Sequence, residues 1–222
     1  MIPNLKEEKK FWKRGYKKVA CIDEVGRGPL AGPVVAGAVV TDKGSSLLEI
    51  FKKAERKNNF PLSCIRDSKK LSPEKRKKFY NFLVSHRAIK WGIGKVSEKV
   101  IDKINILGAT RLAMKKAVLD LKRKGIVVDY LILDGKIELD LKIPQKSIVK
   151  ADEKVFSCAA ASVLAKVKRD AMMEQYHRKY PRYGFDRHKG YGTKYHLRAL
   201  QKYGPCKIHR KSFRPVKTCL FR

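Results

Sequence analysis

The segment Val127–Leu133 (VVDYLIL) constrains this chain more than any other. It is apolar nearly throughout, and such runs suit a central strand covered on both faces. The 222-residue length fits one domain. Lys18–Asp23 (KVACID) and Pro33–Thr41 (PVVAGAVVT) read as two further strands, separated by the Gly-rich loop Glu24–Gly32. Ala88–Val96 reads as another, and Lys136–Leu141 and Ser147–Lys150 are short and strand-like. Asn105–Lys124 carries helical spacing and ends at Gly125. Ser72 and Pro73 mark a helix start. Glu153–Tyr180 reads as a long helix closed by Pro181, Tyr183–Tyr191 as a basic loop, and Thr193–Lys202 as a last helix. Together these predict an α/β chain with a mixed sheet and helices packed on it. The expected divisions are a charged lead-in over 1–17, a core over 18–180 and a helical extension over 181–222.

Charge sets the function classes. Lys plus Arg number 53 and Asp plus Glu 21, leaving +32. Self-repulsion on that scale points to a polyanionic partner, nucleic acid before anionic membrane. No apolar run reaches the roughly 18–20 residues of a membrane span. Met1–Lys18 lacks the apolar core of a signal peptide, so a cytoplasmic protein is expected. The five cysteines form no Cys-x-x-Cys pair, and reduced thiols are expected.

In so basic a chain, acids in apolar or Gly-rich surroundings are informative. Asp23 and Glu24 follow the first strand, Asp134 ends the strongest one, and Asp152 precedes a long helix. Sites of open α/β sheets lie beyond the carboxyl ends of strands. If the strands ending at Asp23 and Asp134 are parallel neighbours, their carboxylates lie roughly 5 Å apart. Such carboxylates repel unless a divalent cation sits between them, and hard oxygen ligands select Mg²⁺ or Mn²⁺. Each acid also has a plain reading: a solvated strand end at Asp23-Glu24, a turn at Asp134-Gly135, a helix cap at Asp152. Asp170 lies with Val163 and Val167 on the apolar face of its helix, where pairing with a Lys or Arg is favoured over metal contact. Gly26-Arg27-Gly28 lets a backbone approach a ligand closely, although it matches neither a P-loop nor a dinucleotide fingerprint.

Cys21–Val35 (CIDEVGRGPLAGPVV) closely resembles the opening motif of type 2 ribonuclease H, ribonuclease HII, of bacterial type. So do Asp67–Ser72 (DSKKLS), Asn105–Ala113 (NILGATRLA), Leu131–Lys136 (LILDGK), Val149–Asp152 (VKAD), Ala159–Asp170 (AAASVLAKVKRD) and Phe185–Thr193 (FDRHKGYGT). The match runs in order from about Tyr16 to Pro215. The resemblance implies a ribonuclease H-like fold: a five-stranded mixed sheet flanked by helices, with a helical C-terminal extension. It implies a second strand antiparallel to the first, and the first and fourth parallel and adjacent. By position, Asp23, Glu24, Asp134 and Asp152 correspond to the family's metal-binding catalytic carboxylates. Gly26, Arg27 and Gly28 match the loop that senses a ribonucleotide's 2′-hydroxyl, Tyr191 the tyrosine on the adjoining sugar, and Lys69 a lysine near the substrate phosphates.

The implied activity is endonucleolytic hydrolysis of RNA in RNA–DNA hybrids, and incision 5′ of single ribonucleotides embedded in duplex DNA. It leaves a 3′-hydroxyl and a 5′-phosphate and uses two Mg²⁺ or Mn²⁺ ions at the scissile phosphate. No general base is needed, so His177, His188, His196 and His209 are expected on the surface or facing phosphate. A monomer is expected, and the short tail Thr218–Arg222 does not argue a sliding-clamp contact. The alternatives are a non-catalytic basic nucleic-acid-binding protein and a different nuclease or transposase on the same fold.

Overall fold

The computed structural model describes residues 3–43 and 71–219. Lys69 and Cys64 lie outside the described residues. The elements follow the chain as α1 (Lys6–Lys13), β1 (Val19–Val25), β2 (Val34–Thr41), α2 (Pro73–Ser85), β3 (Ile89–Val96), α3 (Glu98–Arg123), β4 (Tyr130–Asp134), β5 (Gln145–Ile148), α4 (Ala151–Lys154), α5 (Phe156–Lys179), α6 (Phe185–His188), α7 (Lys194–Tyr203) and α8 (Arg214–Cys219). The five strands form one sheet in the order β3-β2-β1-β4-β5. β1 is antiparallel to β2 and parallel to β4, as expected. β4 and β5 are parallel, and β3 is antiparallel to β2.

Strand side chains alternate between faces, and here each face has its own helix. Cys21, Val39 and Ile132 join the core built with α1, α2 and α5. Ala20, Ile22, Leu131 and Leu133 join the core built with α3. The YLIL part of the run, which forms β4, is therefore apolar because both of its faces are covered, whereas Val127, predicted within the strand, precedes it and is 70% exposed. The helices come unusually close. Gly37 of β2 lies against the Ala161 carbonyl of α5, and Gly92 and Gly94 of β3 lie against the backbone of α3 at Ala117 and Ala113. A Cβ at any of the three would collide with a carbonyl oxygen.

Several boundaries differ from the sequence expectation, each for a local reason. α3 begins at Glu98 rather than Asn105, with a break at Asn105 (φ 58°, ψ 174°). The Asn105 side chain accepts the amides of Leu107 and Gly108, so it caps the second half of the element. The long helix predicted over Glu153–Tyr180 is interrupted at Val155 (φ −110°, ψ 120°), which bridges to Asn4. Asp152 thus sits within the separate turn α4, whose cap position is Lys150, rather than at the start of α5. Lys136–Leu141 is not a strand. The Gln145 side chain takes both the amide and the carbonyl of Leu139, replacing a ladder. Ser72 caps α2 with Pro73 in its first turn, as expected. Asp170 pairs with Lys166 at 2.8 Å and with Arg76 of α2 at 3.7 Å, the structural role favoured from its position.

Gly94→Ala is expected to destabilise by about 1–3 kcal/mol, since a backbone oxygen cannot yield as a side chain can. That corresponds to a fall of roughly 2–4 °C in Tm per kcal/mol. Gly108→Ala, in α3 with only ordinary contacts around its Cβ, should be neutral or slightly stabilising. Thermal unfolding of the two variants side by side checks the contrast.

Candidate active site

Ile22 pairs with Leu133 across the parallel β1–β4 ladder, so Asp23 and Asp134 are the next residues on neighbouring strands. By alternation Asp23 shares the face of Cys21, and Asp134 that of Ile132. Both therefore point toward α5. Asp152 joins them from α4. Carboxylate oxygens of Asp23, Asp134 and Asp152 all lie within 4.8 Å of one another. Asp23 is 4% exposed, which excludes a solvated strand end. Gly135 does turn the chain (φ +89°), but the Asp134 carboxylate is also fixed, accepting the Ala151 amide at 2.6 Å. That bond ties the end of β4 to the turn carrying Asp152.

Glu24, one residue beyond Asp23, falls on the opposite side of the pleat. It stands outside the trio and meets Arg27 at 3.4 Å. Its carboxyl is raised by burial and by the Asp134 charge, against the lowering effect of Arg27, so it borders the cluster electrostatically. Asp23 is raised well above the usual carboxylate range, first by burial, then by the charges of Glu24 and Asp134. The Ser162 hydroxyl of α5 opposes this by bonding it. Three hard oxygen donors, shielded from solvent in part or in full and mutually repelling, fit a divalent cation such as Mg²⁺ or Mn²⁺ and suit zinc poorly.

Gly26-Arg27-Gly28 leaves β1 next to this cluster. Gly26 takes φ +94°, and a Cβ there would run into Arg169 and come within 2.8 Å of the Pro33 carbonyl oxygen. Gly28 is not constrained in that way. Its added Cβ would meet only the Tyr191 ring, at 3.7 Å. The structure thus brings Gly28 and Tyr191 together from loops more than 160 residues apart, and leaves Tyr191 43% exposed.

Two buried arginines that sequence reasoning missed hold these loops. Arg169 donates to the carbonyls of Pro33, Ala31 and Lys189. Arg210 donates to those of Gly26, Arg27 and Gly32. Both are fully buried. Among 53 Lys and Arg, Arg169 is marked only by lying within the motif Ala159–Asp170, and none of the matched motifs contains Arg210.

The histidine expectation fails for His196 and His209. Both are buried, and burial lowers each to about 4, so they are neutral. Their ring nitrogens meet at 3.0 Å. His209 Nδ1 accepts the Cys206 amide, so its Nε2–H donates to His196, whose Nδ1–H donates to the Tyr191 carbonyl. His188 is half-buried, bonding the Tyr183 carbonyl and accepting the Gly190 amide. His177 lies 3.1 Å from Asp186. The buried pair fixes the Tyr191 loop from below.

The raised state of Asp23 has a thermodynamic sign. The unfolded chain releases this proton more readily than the folded one. The metal-free protein therefore loses stability as pH rises from the unfolded Asp value, near 4, toward neutrality. Asp23→Asn should raise Tm at pH 7 in chelator by a few degrees, with the gain vanishing near pH 3–4. Added Mn²⁺ should raise the wild-type Tm and leave that of the variant nearly unchanged. Calorimetry across pH and metal concentration measures both.

The family model described as Ribonuclease HII matches residues 20–216. The Ribonuclease HII of Chlamydia caviae is 47% identical over 210 residues, covering 95% of this chain and 90% of the relative. That of Caldanaerobacter subterraneus subsp. tengcongensis is 48% identical over 206 residues, covering 93% and 78%. Among solved structures, the ribonuclease H2 of Pyrococcus horikoshii superimposes with a TM-score of 0.67 at 26% identity, covering 91% of this chain and 96% of that one. A five-stranded ribonuclease H-like sheet, its acidic cluster at the exits of β1 and β4, and likeness over nearly the whole chain place this protein in the ribonuclease HII family, as an endoribonuclease of the ribonuclease H class.

Proposed function

We propose that the enzyme hydrolyses the RNA strand of RNA–DNA hybrids and incises 5′ of single ribonucleotides embedded in duplex DNA, leaving a 3′-hydroxyl and a 5′-phosphate. One observation carries the reading: a three-carboxylate cluster lies beside a glycine loop over which an exposed tyrosine ring is set. A protein that only bound nucleic acid would gain nothing from buried acids facing phosphate.

In this reading Asp23, Asp134 and Asp152, with Glu24 at their border, hold Mg²⁺ or Mn²⁺, two ions when substrate is bound. Such ions supply an activated water and stabilise the departing 3′-oxygen. The chain's own residues do the rest. Ser162 and the Ala151 amide orient Asp23 and Asp134. The Gly26–Gly28 backbone hydrogen-bonds the 2′-hydroxyl, the group by which a protein tells RNA from DNA at one position. Tyr191 packs on the neighbouring sugar, and Lys69 contacts the substrate phosphates. The neutral histidines carry no proton in the reaction. The lysine excess grips the duplex through its phosphates without reading bases. We further read the enzyme as a cytoplasmic monomer. Among the described residues no helix is long and apolar enough to cross a membrane.

Duplexes holding zero, one or four ribonucleotides, incubated with Mg²⁺, Mn²⁺ or chelator, test the reading. Cleavage 5′ of the single ribonucleotide with metal, and none of the all-DNA duplex, is expected. Asp134→Asn should reduce cleavage by at least about a thousandfold while duplex affinity survives, since the phosphate-binding lysines remain. Near-normal turnover at saturating metal would remove Asp134 from the metal site.

Duplex affinity should fall steeply with salt. If about six phosphates are neutralised, log K falls against log salt with a slope of roughly −5. A nearly flat KCl titration by fluorescence anisotropy would assign the +32 charge to some other purpose.

A further inference from the structure

Two of the three residues of the loop Gly26–Gly28 have no side chain, and the third, Arg27, turns to Glu24, yet the peptide planes are fixed. Arg210 reaches it from the C-terminal segment. Its Nη2 donates to the Gly26 carbonyl at 2.5 Å, Nη1 to the Arg27 carbonyl at 2.8 Å, and Nε to the Gly32 carbonyl at 3.0 Å. In a trans peptide the N–H points opposite to the C=O. Turning the Gly26 and Arg27 carbonyls inward therefore turns the amides of Arg27 and Gly28 outward. Among the described residues neither amide donates to a backbone acceptor. Two successive free amides on a glycine loop form a concavity that accepts an oxygen atom.

Arg169 connects the same loop to the tyrosine side. Its guanidinium bridges Ala31 and Pro33, just past the glycines, to Lys189, two residues before Tyr191. The Leu30 amide donates to Gly190, and the Arg210 amide to Leu30. Gly28 and Tyr191 are thus parts of one rigid unit. Both guanidinia are fully buried and bonded to carbonyls rather than to a carboxylate. Burying two like charges in this way is a poor route to stability. Burial and Arg169 lower Arg210 to about 9, which leaves it protonated at neutral pH and able to use all its donors.

We infer that Arg210 is a positioning residue for ribonucleotide recognition: by holding the Gly26 and Arg27 carbonyls inward, it presents the Arg27 and Gly28 amides to the 2′-hydroxyl, with Arg169 setting Tyr191 against them. This rests on the reading of Gly26–Gly28 given above. It adds that discrimination between RNA and DNA is set by a buried side chain that never touches the substrate.

The test compares affinities of two duplexes, identical except for one ribonucleotide, measured by anisotropy in chelator so that no cleavage occurs. The proteins are wild type, Arg210→Lys and Arg210→Gln, each checked for Tm. Lysine keeps the charge but cannot engage three carbonyls in a fixed fork. Arg210→Lys should bind all-DNA duplex as the wild type does and lose its preference for the ribonucleotide duplex by on the order of tenfold, the scale of one such hydrogen bond. Arg210→Gln should behave likewise, with weaker DNA binding from the lost charge. Retained preference in a folded variant overturns the assignment, as does an equal loss on both duplexes. A wild type without preference would defeat the reading of the glycine loop itself, and this inference with it. Amide resonances of the wild type give a check that no variant can obscure. The ribonucleotide duplex should shift the Arg27 and Gly28 amides beyond the shift caused by all-DNA duplex, and equal shifts would overturn the proposal.

Discussion

Everything in the site depends on β1 and β4 lying side by side and parallel. That pairing brings two strand ends to the same level, and the period of two turns Asp23 and Asp134 to the same face. An antiparallel pairing would send the two carboxylates to opposite ends of the sheet. The pairing requires a crossover, supplied through β3 and α3, and it requires coverage on both faces, which explains why β4 is apolar until its last residue. α5 then serves twice. It fills the core over β1 and β2 through Ala159, Ala160 and Ala161, and it carries Ser162 against Asp23 and Arg169 under the glycine loop. The close approach at Gly37 allows this, because a larger residue would lift the helix away from the acids it supports.

Most of the sheet was legible in the sequence because its strands are apolar runs with clear breaks, and the pairing of the first strand with the second and the fourth followed from the family likeness. Asp23, Asp134 and Asp152 were legible because acids are scarce in this chain and these stand at element ends. What escaped was whatever depended on side chains meeting across long separations. Gln145 closing on Leu139, Val155 bridging to Asn4 and Asn105 capping within α3 each moved a boundary, and no local propensity signals any of them. Glu24 illustrates a finer limit. Its motif places it with the metal ligands, while the pleat turns it toward Arg27, so adjacency in sequence and adjacency in the cluster are different things.

The histidines and arginines were misjudged for one shared reason. In a chain with 53 basic residues, the default is solvent or phosphate. His196 and His209 escape that default by being neutral, each donating one proton and accepting another in a chain that ends on the Tyr191 carbonyl. Arg169 and Arg210 escape it by staying charged and giving each guanidinium nitrogen a backbone carbonyl. Both solutions bury polar groups with their bonds satisfied, as interior groups require, and both act on the same pair of loops.

This division of labour follows from what the substrate offers. The phosphate backbone is the same in every duplex, so a diffuse lysine surface can bind it with little geometry. A 2′-hydroxyl is one small group that both donates and accepts, and distinguishing it from hydrogen demands donors fixed to a fraction of an ångström. Glycines make that approach possible but cannot fix themselves, because the freedom that admits φ +94° at Gly26 also admits many other shapes. Rigidity must come from elsewhere. Side chains placed on the outer surface of the loop would stand between it and the duplex, so the constraint has to come from beneath, from groups long enough to reach through the core and branched enough to hold several carbonyls at once. Guanidinium meets that description better than any other side chain, and this argument accounts for two buried arginines in a protein that has no shortage of exposed ones.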